Sequence, residues 1–163
     1  MIKRYFVSTL VLLVFILAAG CSNLDHKNNT ENNDHIASMG DLAEETSSMN
    51  KLPTFLNGQT DSIKSIYKAS AESKELLEKI PCYCGCGDSV GHKNNYDCFV
   101  RENKKNGGIV WDSHGVNCDV CLEIAAQSIT DYHNGKSLKE IRKDIDDKYK
   151  EGYAKPTPTP PVL

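Results

Sequence analysis

The sequence predicts a mainly α fold, a small helical bundle around an irregular loop rich in cysteine and glycine. Apolar residues recur at helical spacing in residues 61–80 and again beyond residue 119, which indicates the helices. Five of the seven cysteines fall within residues 81–118, where apolar residues are sparse. Such a loop cannot pack by itself, so we expect bound metal or disulfides to stabilise it.

The N-terminus has the pattern of an export signal. Lys3 and Arg4 precede an apolar stretch over residues 6–19, which is short for a membrane span. The stretch ends in Leu-Ala-Ala-Gly before Cys21, which resembles the lipobox of bacterial lipoproteins. We therefore expect residues 1–20 to be a signal peptide and Cys21 to be lipidated. An extracytoplasmic, membrane-anchored protein follows, whereas an ordinary secretory signal would leave Cys21 as a stray thiol.

The remainder divides by composition into a tether, a domain and a tail. Residues 21–50 predict a lipidated cysteine followed by a disordered tether, because they are polar and can bury no core. Residues 51–153 predict the folded, cysteine- and histidine-rich helical domain. Residues 154–163 predict a Pro-rich tail in the polyproline II conformation, with no role in packing.

The helices of the domain have recognisable ends. Residues 61–80 predict one helix, or two short ones, that end before Pro81. A second helical pattern starts at Asp119, and Gly135 offers its C-terminal stop. Ser137 and Glu140 form a capping box that begins a further helix, so the last two helices predict an antiparallel hairpin. Between the helical halves, only residues 99–100 and 109–111 resemble strands.

Six thiols and two imidazoles carry the predicted chemistry. They are Cys82, Cys84, Cys86, Cys98, Cys118, Cys121, His92 and His114. Gly85 lets the backbone bend so that the thiolates of Cys84 and Cys86 can point to one centre. Soft thiolates at close spacing favour copper(I) or zinc over hard cations. The C-x-x-x-C spacing of Cys82 and Cys86, with a distant histidine, is also the ligand pattern of copper chaperones that serve cytochrome oxidase.

Cys118 and Cys121 form a C-x-x-C pair at the start of a predicted helix. That spacing suits thiol-disulfide exchange and equally one edge of a tetrahedral metal site. Residue 122 is Leu rather than His, which excludes covalent attachment of haem c. Asp97 and Asp112 are candidates for acceptors that orient a loop amide and His114, although aspartates that form turns are as common.

These motifs together resemble the PCYCGC-motif lipoproteins of bacilli and their relatives, a family without an established function. The resemblance covers about residues 52–150. It rests on residues 82–87, 91–93, 97–99 and 111–115 and on the C-x-x-C pair. The cysteine motif, the helices and Tyr149 are also similar, more weakly, to the small thiol-reductase domain of cytochrome c maturation proteins. That resemblance implies a three-helix bundle with a C-x-x-C pair.

Three functions are compatible with the pattern. The first is a module that binds copper(I) or zinc through the six thiols and two imidazoles, for storage or for delivery to a client metalloprotein. The second is thiol-disulfide exchange with a membrane redox partner, in which Cys118 and Cys121 would be the catalytic pair. The third is a disulfide-stapled binding module without chemistry of its own.

Other function classes lack support in the sequence. The chain has a formal net charge of -3 and no basic run interleaved with aromatics, which argues against nucleic acid as a partner. Neither a Ser-His-Asp order nor a phosphate-binding loop nor paired carboxylates stand out, so nothing favours a hydrolase or a kinase. If the protein is an enzyme, a thiol-disulfide oxidoreductase is the class that the cysteines favour.

Overall fold

The computed structural model describes residues 40–162. The predicted signal peptide, the lipidation site Cys21 and the first part of the predicted tether lie outside these residues. The described helices and strands are β1 (Ala43–Thr46), α1 (Asp61–Glu72), α2 (Lys74–Leu77), α3 (Cys86–Ser89), β2 (Val100–Asn103), β3 (Ile109–Asp112), α4 (Asp119–His133) and α5 (Leu138–Tyr149). No helix among the described residues has the length and apolar character needed to cross a membrane.

The helices predicted from periodicity are confirmed, and their ends follow the capping rules. The helical region before Pro81 consists of the two short helices α1 and α2. The Ile63 amide donates to the Thr60 hydroxyl, 3.3 Å away, at the start of α1. The predicted capping box of Ser137 and Glu140 is present at the start of α5. Gly135, with φ of 87°, provides the turn between α4 and α5.

The prediction of a mainly α bundle is wrong, because the domain also contains a three-stranded antiparallel sheet. The strand order is β1-β3-β2. β2 and β3 form a hairpin in the cysteine-rich segment that was predicted to be irregular, and β1 pairs with β3 from Ala43 against Asp112 to Thr46 against Ile109. Each strand has only four residues, too few for a clear alternation of apolar and polar side chains.

Sheet and helices share one core, which lies beside the cysteines. Trp111 on β3 is fully buried, and its ring centroid lies 6.2 Å from that of Tyr67 on α1. The Tyr67 ring in turn meets Phe99 edge to face at 5.0 Å. The indole N–H of Trp111 donates to the Thr46 hydroxyl at 2.8 Å, which ties β1 to this core. The sheet therefore holds the cysteine-rich segment against the helices.

The folded unit extends beyond the predicted boundaries at both ends. β1 lies within residues 21–50, which were predicted to be a tether, and there it forms the edge of the sheet. The tail predicted to have no packing role contacts the cysteine loop, because the Thr157 amide donates to the Cys82 carbonyl at 2.9 Å. The Cys82 amide donates back to the Thr157 hydroxyl, also at 2.9 Å, and Thr157 is buried. Backbone and hydroxyl hydrogen bonds hold this tail in place, and composition alone does not reveal them.

Candidate metal centre

The PCYCGC segment folds into a tight turn that brings its thiols together. Gly85 has φ of 90°, a conformation that glycine adopts without strain, and it precedes the single turn of α3. The His92 amide donates to the Cys86 carbonyl at 3.2 Å, so the chain after α3 returns toward the cysteines. The side-chain amide of Asn95 donates to the Cys121 carbonyl at 3.2 Å, which joins this loop to α4.

The other half of the site lies where β3 leads into α4. His114 begins a short 3-10 turn over His114–Asn117. Cys118 occupies the N-cap position of α4. Because the first turn of a helix brings residues three apart onto one face, the Cys118 and Cys121 thiols lie side by side. Their sulfurs lie 3.1 Å apart.

All eight residues predicted as ligands converge on one cluster, named here the eight-donor cluster. The Sγ atom of Cys121 lies 3.3 Å from that of Cys82 and 3.5 Å from that of Cys84. The Cys86 and Cys98 sulfurs are 3.8 Å apart. Four ligands arranged tetrahedrally at about 2.3 Å from zinc would be about 3.8 Å apart. The spacing in the cluster is therefore close to that of thiolates around a shared ion.

The six described cysteines are free thiols. A disulfide joins its two sulfurs at about 2.05 Å, whereas the hydrogen-bonded sulfurs of the cluster are 3.1 Å or more apart. The sulfurs differ in exposure, since Cys82, Cys86, Cys98 and Cys121 are buried while Cys84 and Cys118 are partly exposed. Core packing and hydrogen bonds also hold the cysteine-rich segment against the rest of the domain.

His114 presents one ring nitrogen to the cluster and the other to a carboxylate. Its Nε2 atom lies 3.6 Å from the Cys84 sulfur. Its Nδ1 atom lies 2.8 Å from Oδ2 of Asp41, on the chain just before β1. A carboxylate on the far nitrogen is the usual arrangement behind a metal-binding histidine, because it orients the ring and raises its basicity.

His92 has a similar arrangement with Asp112. Its Nε2 atom lies 3.6 Å from Oδ2 of Asp112, and the side chains of both residues are almost fully buried. Its Nδ1 atom is buried and has no hydrogen-bond partner among the described residues. A buried nitrogen without a partner is costly unless something else occupies its lone pair. Because the Cys86 and Cys98 sulfurs lie within 4.8 Å of a ring nitrogen of His92, the imidazole could share a metal ion with them.

In the more exposed part of the cluster, the thiols and His114 shift one another's pKa values. Hydrogen bonds from the Cys118 and Cys121 thiols lower the pKa of Cys84 to about 2. Contacts with the Cys118 and Cys84 sulfurs, together with Asp41, raise the pKa of His114 to about 12 although burial opposes the charge. The adjacent sulfurs, that of Cys118 first, raise the pKa of Cys121. The thiols and the imidazole thus compete for protons, and a bound metal ion would displace those protons.

In the buried part of the cluster, neighbouring groups also shift the pKa values of a histidine and a cysteine. Burial favours a neutral His92, but the adjacent Asp112 carboxylate and Cys98 sulfur outweigh it and raise the pKa of His92 to about 9. Burial likewise opposes ionisation of Cys98, yet hydrogen bonds from Cys121 and Cys82 lower its pKa well below the usual value. The directions of these pKa shifts favour ionised sulfur beside both histidines.

The family comparison agrees with the motif at the centre of this site. Residues 9–162 match the family described as "protein of unknown function with PCYCGC motif". The chain belongs to this PCYCGC family. No curated protein and no solved structure matches it. The weaker similarity to the thiol-reductase domain receives no support from these comparisons. Within this PCYCGC protein, the Cys/His groups could hold a metal ion.

Sequence reasoning missed two residues that support the site. Asp41 faces His114 from a segment predicted to be a tether, and Thr157 binds the Cys82 backbone from a tail predicted not to pack. No sequence signal pointed to either residue, because each acts on a partner more than 70 positions away. Both predicted carboxylate acceptors are used: Asp97 accepts from the Lys93 amide at 2.8 Å and Asp112 from the His114 amide at 2.7 Å.

Proposed function

We propose that this protein binds a thiophilic metal ion, copper(I) or zinc, through the eight-donor cluster. The observation that carries the proposal is the convergence of six thiols with two histidines, of which His92 has a buried nitrogen without a partner. Thiolates select soft ions, and neutral imidazole suits both copper and zinc. Four sulfurs are buried, which suits retention, and two are partly exposed, which suits delivery to a client metalloprotein.

The carboxylates that contact the histidines support the same function. Asp41 lies 2.8 Å from Nδ1 of His114, and Asp112 lies 3.6 Å from Nε2 of His92. The Arg101 guanidinium lies 2.5 Å from Asp112 and holds this carboxylate in place. This second layer of hydrogen bonds would fix the imidazole rings before an ion binds, which reduces the reorganisation that binding requires.

Elemental analysis of protein purified anaerobically tests the proposal and identifies the metal. We expect bound copper or zinc together with reduced thiols. The double variant His92→Ala, His114→Ala should lower the metal content per folded chain by more than about half, because two nitrogen ligands are lost. Cys118→Ser alone should reduce the content without abolishing it. His133→Ala is the matched control, since His133 is exposed and outside the cluster. Full loading of the double variant would remove both histidines from the ligand set.

Thiol-disulfide exchange is the second candidate, and the short distance between the Cys118 and Cys121 sulfurs favours it. Exchange needs a single reactive pair, whereas Cys121 also lies within 3.5 Å of two further sulfurs. If the wild-type protein reduced a disulfide substrate and Cys118→Ser did not, this function would replace metal binding as the better account.

We propose that the domain acts at the outer face of the cell membrane, anchored by a lipid on Cys21. The support is the sequence pattern before Cys21, in which an apolar stretch ends in small residues. Cys21→Ala should therefore release the protein into the medium or leave an unprocessed precursor, as fractionation and immunoblotting would detect. Cys118→Ser serves as the control and should stay with the membrane. Unchanged processing and retention of Cys21→Ala would contradict the anchor.

A further inference from the structure

We propose that the eight-donor cluster is two adjacent centres, each of which takes one four-coordinate thiophilic ion such as zinc. This inference rests on the proposed metal binding and specifies its stoichiometry and its type of ion. The outer centre consists of Cys84, Cys118, Cys121 and His114. The inner centre consists of Cys82, Cys86, Cys98 and His92.

The number of donors favours two ions over one. A tetrahedral ion accepts four ligands, so one ion would leave half of the donors unused. One of those would be the buried Nδ1 of His92, which has no other partner among the described residues. His92 does not belong to the group formed by the outer donors, which lie within 4.8 Å of one another. A single ion in the outer centre therefore cannot serve it.

The distances define the outer set and three members of the inner set, and we assign Cys82 to the inner set as its fourth donor. The ligand atoms of the outer set lie within 4.8 Å of one another. In the inner set, Cys86, Cys98 and His92 lie within the same range, and Cys82 is within that range of Cys86 and of Cys98. His114 is also within reach of the inner set, but its Nδ1 faces Asp41 and its Nε2 can serve one ion only.

Each centre has its own carboxylate behind its own histidine. Asp41 lies behind His114 of the outer centre at 2.8 Å, and Asp112 lies beside His92 of the inner centre at 3.6 Å. Each histidine thus has a carboxylate of its own, as two separate ions would require. The Cys82 sulfur lies 3.4 Å from that of Cys84 and 3.3 Å from that of Cys121, so it connects the two centres.

The two centres differ in access to solvent. In the outer set Cys84, Cys118 and His114 are partly exposed, whereas the inner sulfurs of Cys82, Cys86 and Cys98 belong to fully buried residues. A polar cavity of about 400 Å³ borders His92, but no cysteine lines it. We therefore assign exchange with partner thiols to the outer ion and retention to the inner ion, because an incoming thiolate must reach the ion itself to displace one of its sulfur ligands.

Titration of the reduced full-length chain in detergent with cobalt(II), a spectroscopic substitute for zinc, tests the two centres. We expect saturation at two ions per chain and release to a chelator in a fast and a slow phase. Cys118→Ser should bind one ion and lose the fast phase. Cys98→Ser should bind one ion and lose the slow phase. His92→Gln is a second inner variant with the same expected result, in case the buried Cys98 change prevents folding.

The outcomes separate this inference from the proposed function. Saturation at one ion, or at three or more, would overturn the two centres while metal binding stands. A single release phase from the wild-type protein would overturn the difference in access. No bound cobalt, together with no copper(I) taken up in a parallel anaerobic titration, would instead contradict the proposed function.

Discussion

Loading with zinc should raise the midpoint of thermal unfolding by about 15 °C. An ion that binds only the folded state stabilises it by about 4 kcal/mol at a thousand times its dissociation constant. In a folded unit of this size each kcal/mol shifts the midpoint by about 4 °C. The candidate ligands come from the PCYCGC turn, from the segment between β3 and α4, and from α4 itself. A bound ion would therefore link chain segments that separate on unfolding.

Two optical signals should shift together in this experiment. Tryptophan fluorescence reports on the cysteine-rich segment through Trp111, and circular dichroism reports on the helices. Because Trp111 is fully buried and packs near Tyr67 of α1, both signals belong to one core. Magnesium is the control, since a hard cation prefers oxygen ligands and should leave the midpoint unchanged. An equal midpoint with zinc and with magnesium would show that the cluster does not bind zinc in the folded state.

The variant Gly115→Ala should lower the free energy of unfolding by about 3 kcal/mol. A Cβ atom at residue 115 would lie 2.7 Å from Cε1 of Phe99 and 3.0 Å from the Tyr67 hydroxyl. Neither group can move freely, because Phe99 is fully buried and the Tyr67 hydroxyl donates to the Asp112 carbonyl at 2.8 Å. The clash is therefore relieved only by displacing the turn that carries His114.

Chemical denaturation measures this effect, and Gly58→Ala is the matched control. No atom lies within 4 Å of a Cβ built at Gly58, so its substitution should change the free energy of unfolding by less than about 0.5 kcal/mol. Because Gly115 follows His114, the metal content of Gly115→Ala should fall as well. A fully stable Gly115→Ala protein would show that Phe99 and Tyr67 repack more easily than their burial and hydrogen bonds indicate.

The candidate site was more predictable than the fold around it. All eight residues of the cluster were named as candidate ligands from residue type and spacing, since thiol and imidazole side chains have few other uses at that density. The proposed division into two centres was not predictable, because C-x-C and C-x-x-C spacings are compatible with many pairings. The sheet was missed because β1 has the sequence Ala-Glu-Glu-Thr, which does not favour a strand without its partner β3.

Features that depend on neighbours along the chain can be derived from the amino-acid sequence. The helices α1, α2, α4 and α5 follow from periodicity, Ser137 and Glu140 cap α5 through a local pattern, and the PCYCGC segment identifies the family. Contacts between distant segments are visible only in the folded domain: β1 with β3, Asp41 with His114, and Thr157 with Cys82. Such contacts form because buried backbone and side-chain groups need hydrogen-bond partners in the folded state. Local sequence patterns do not specify which distant groups will pair.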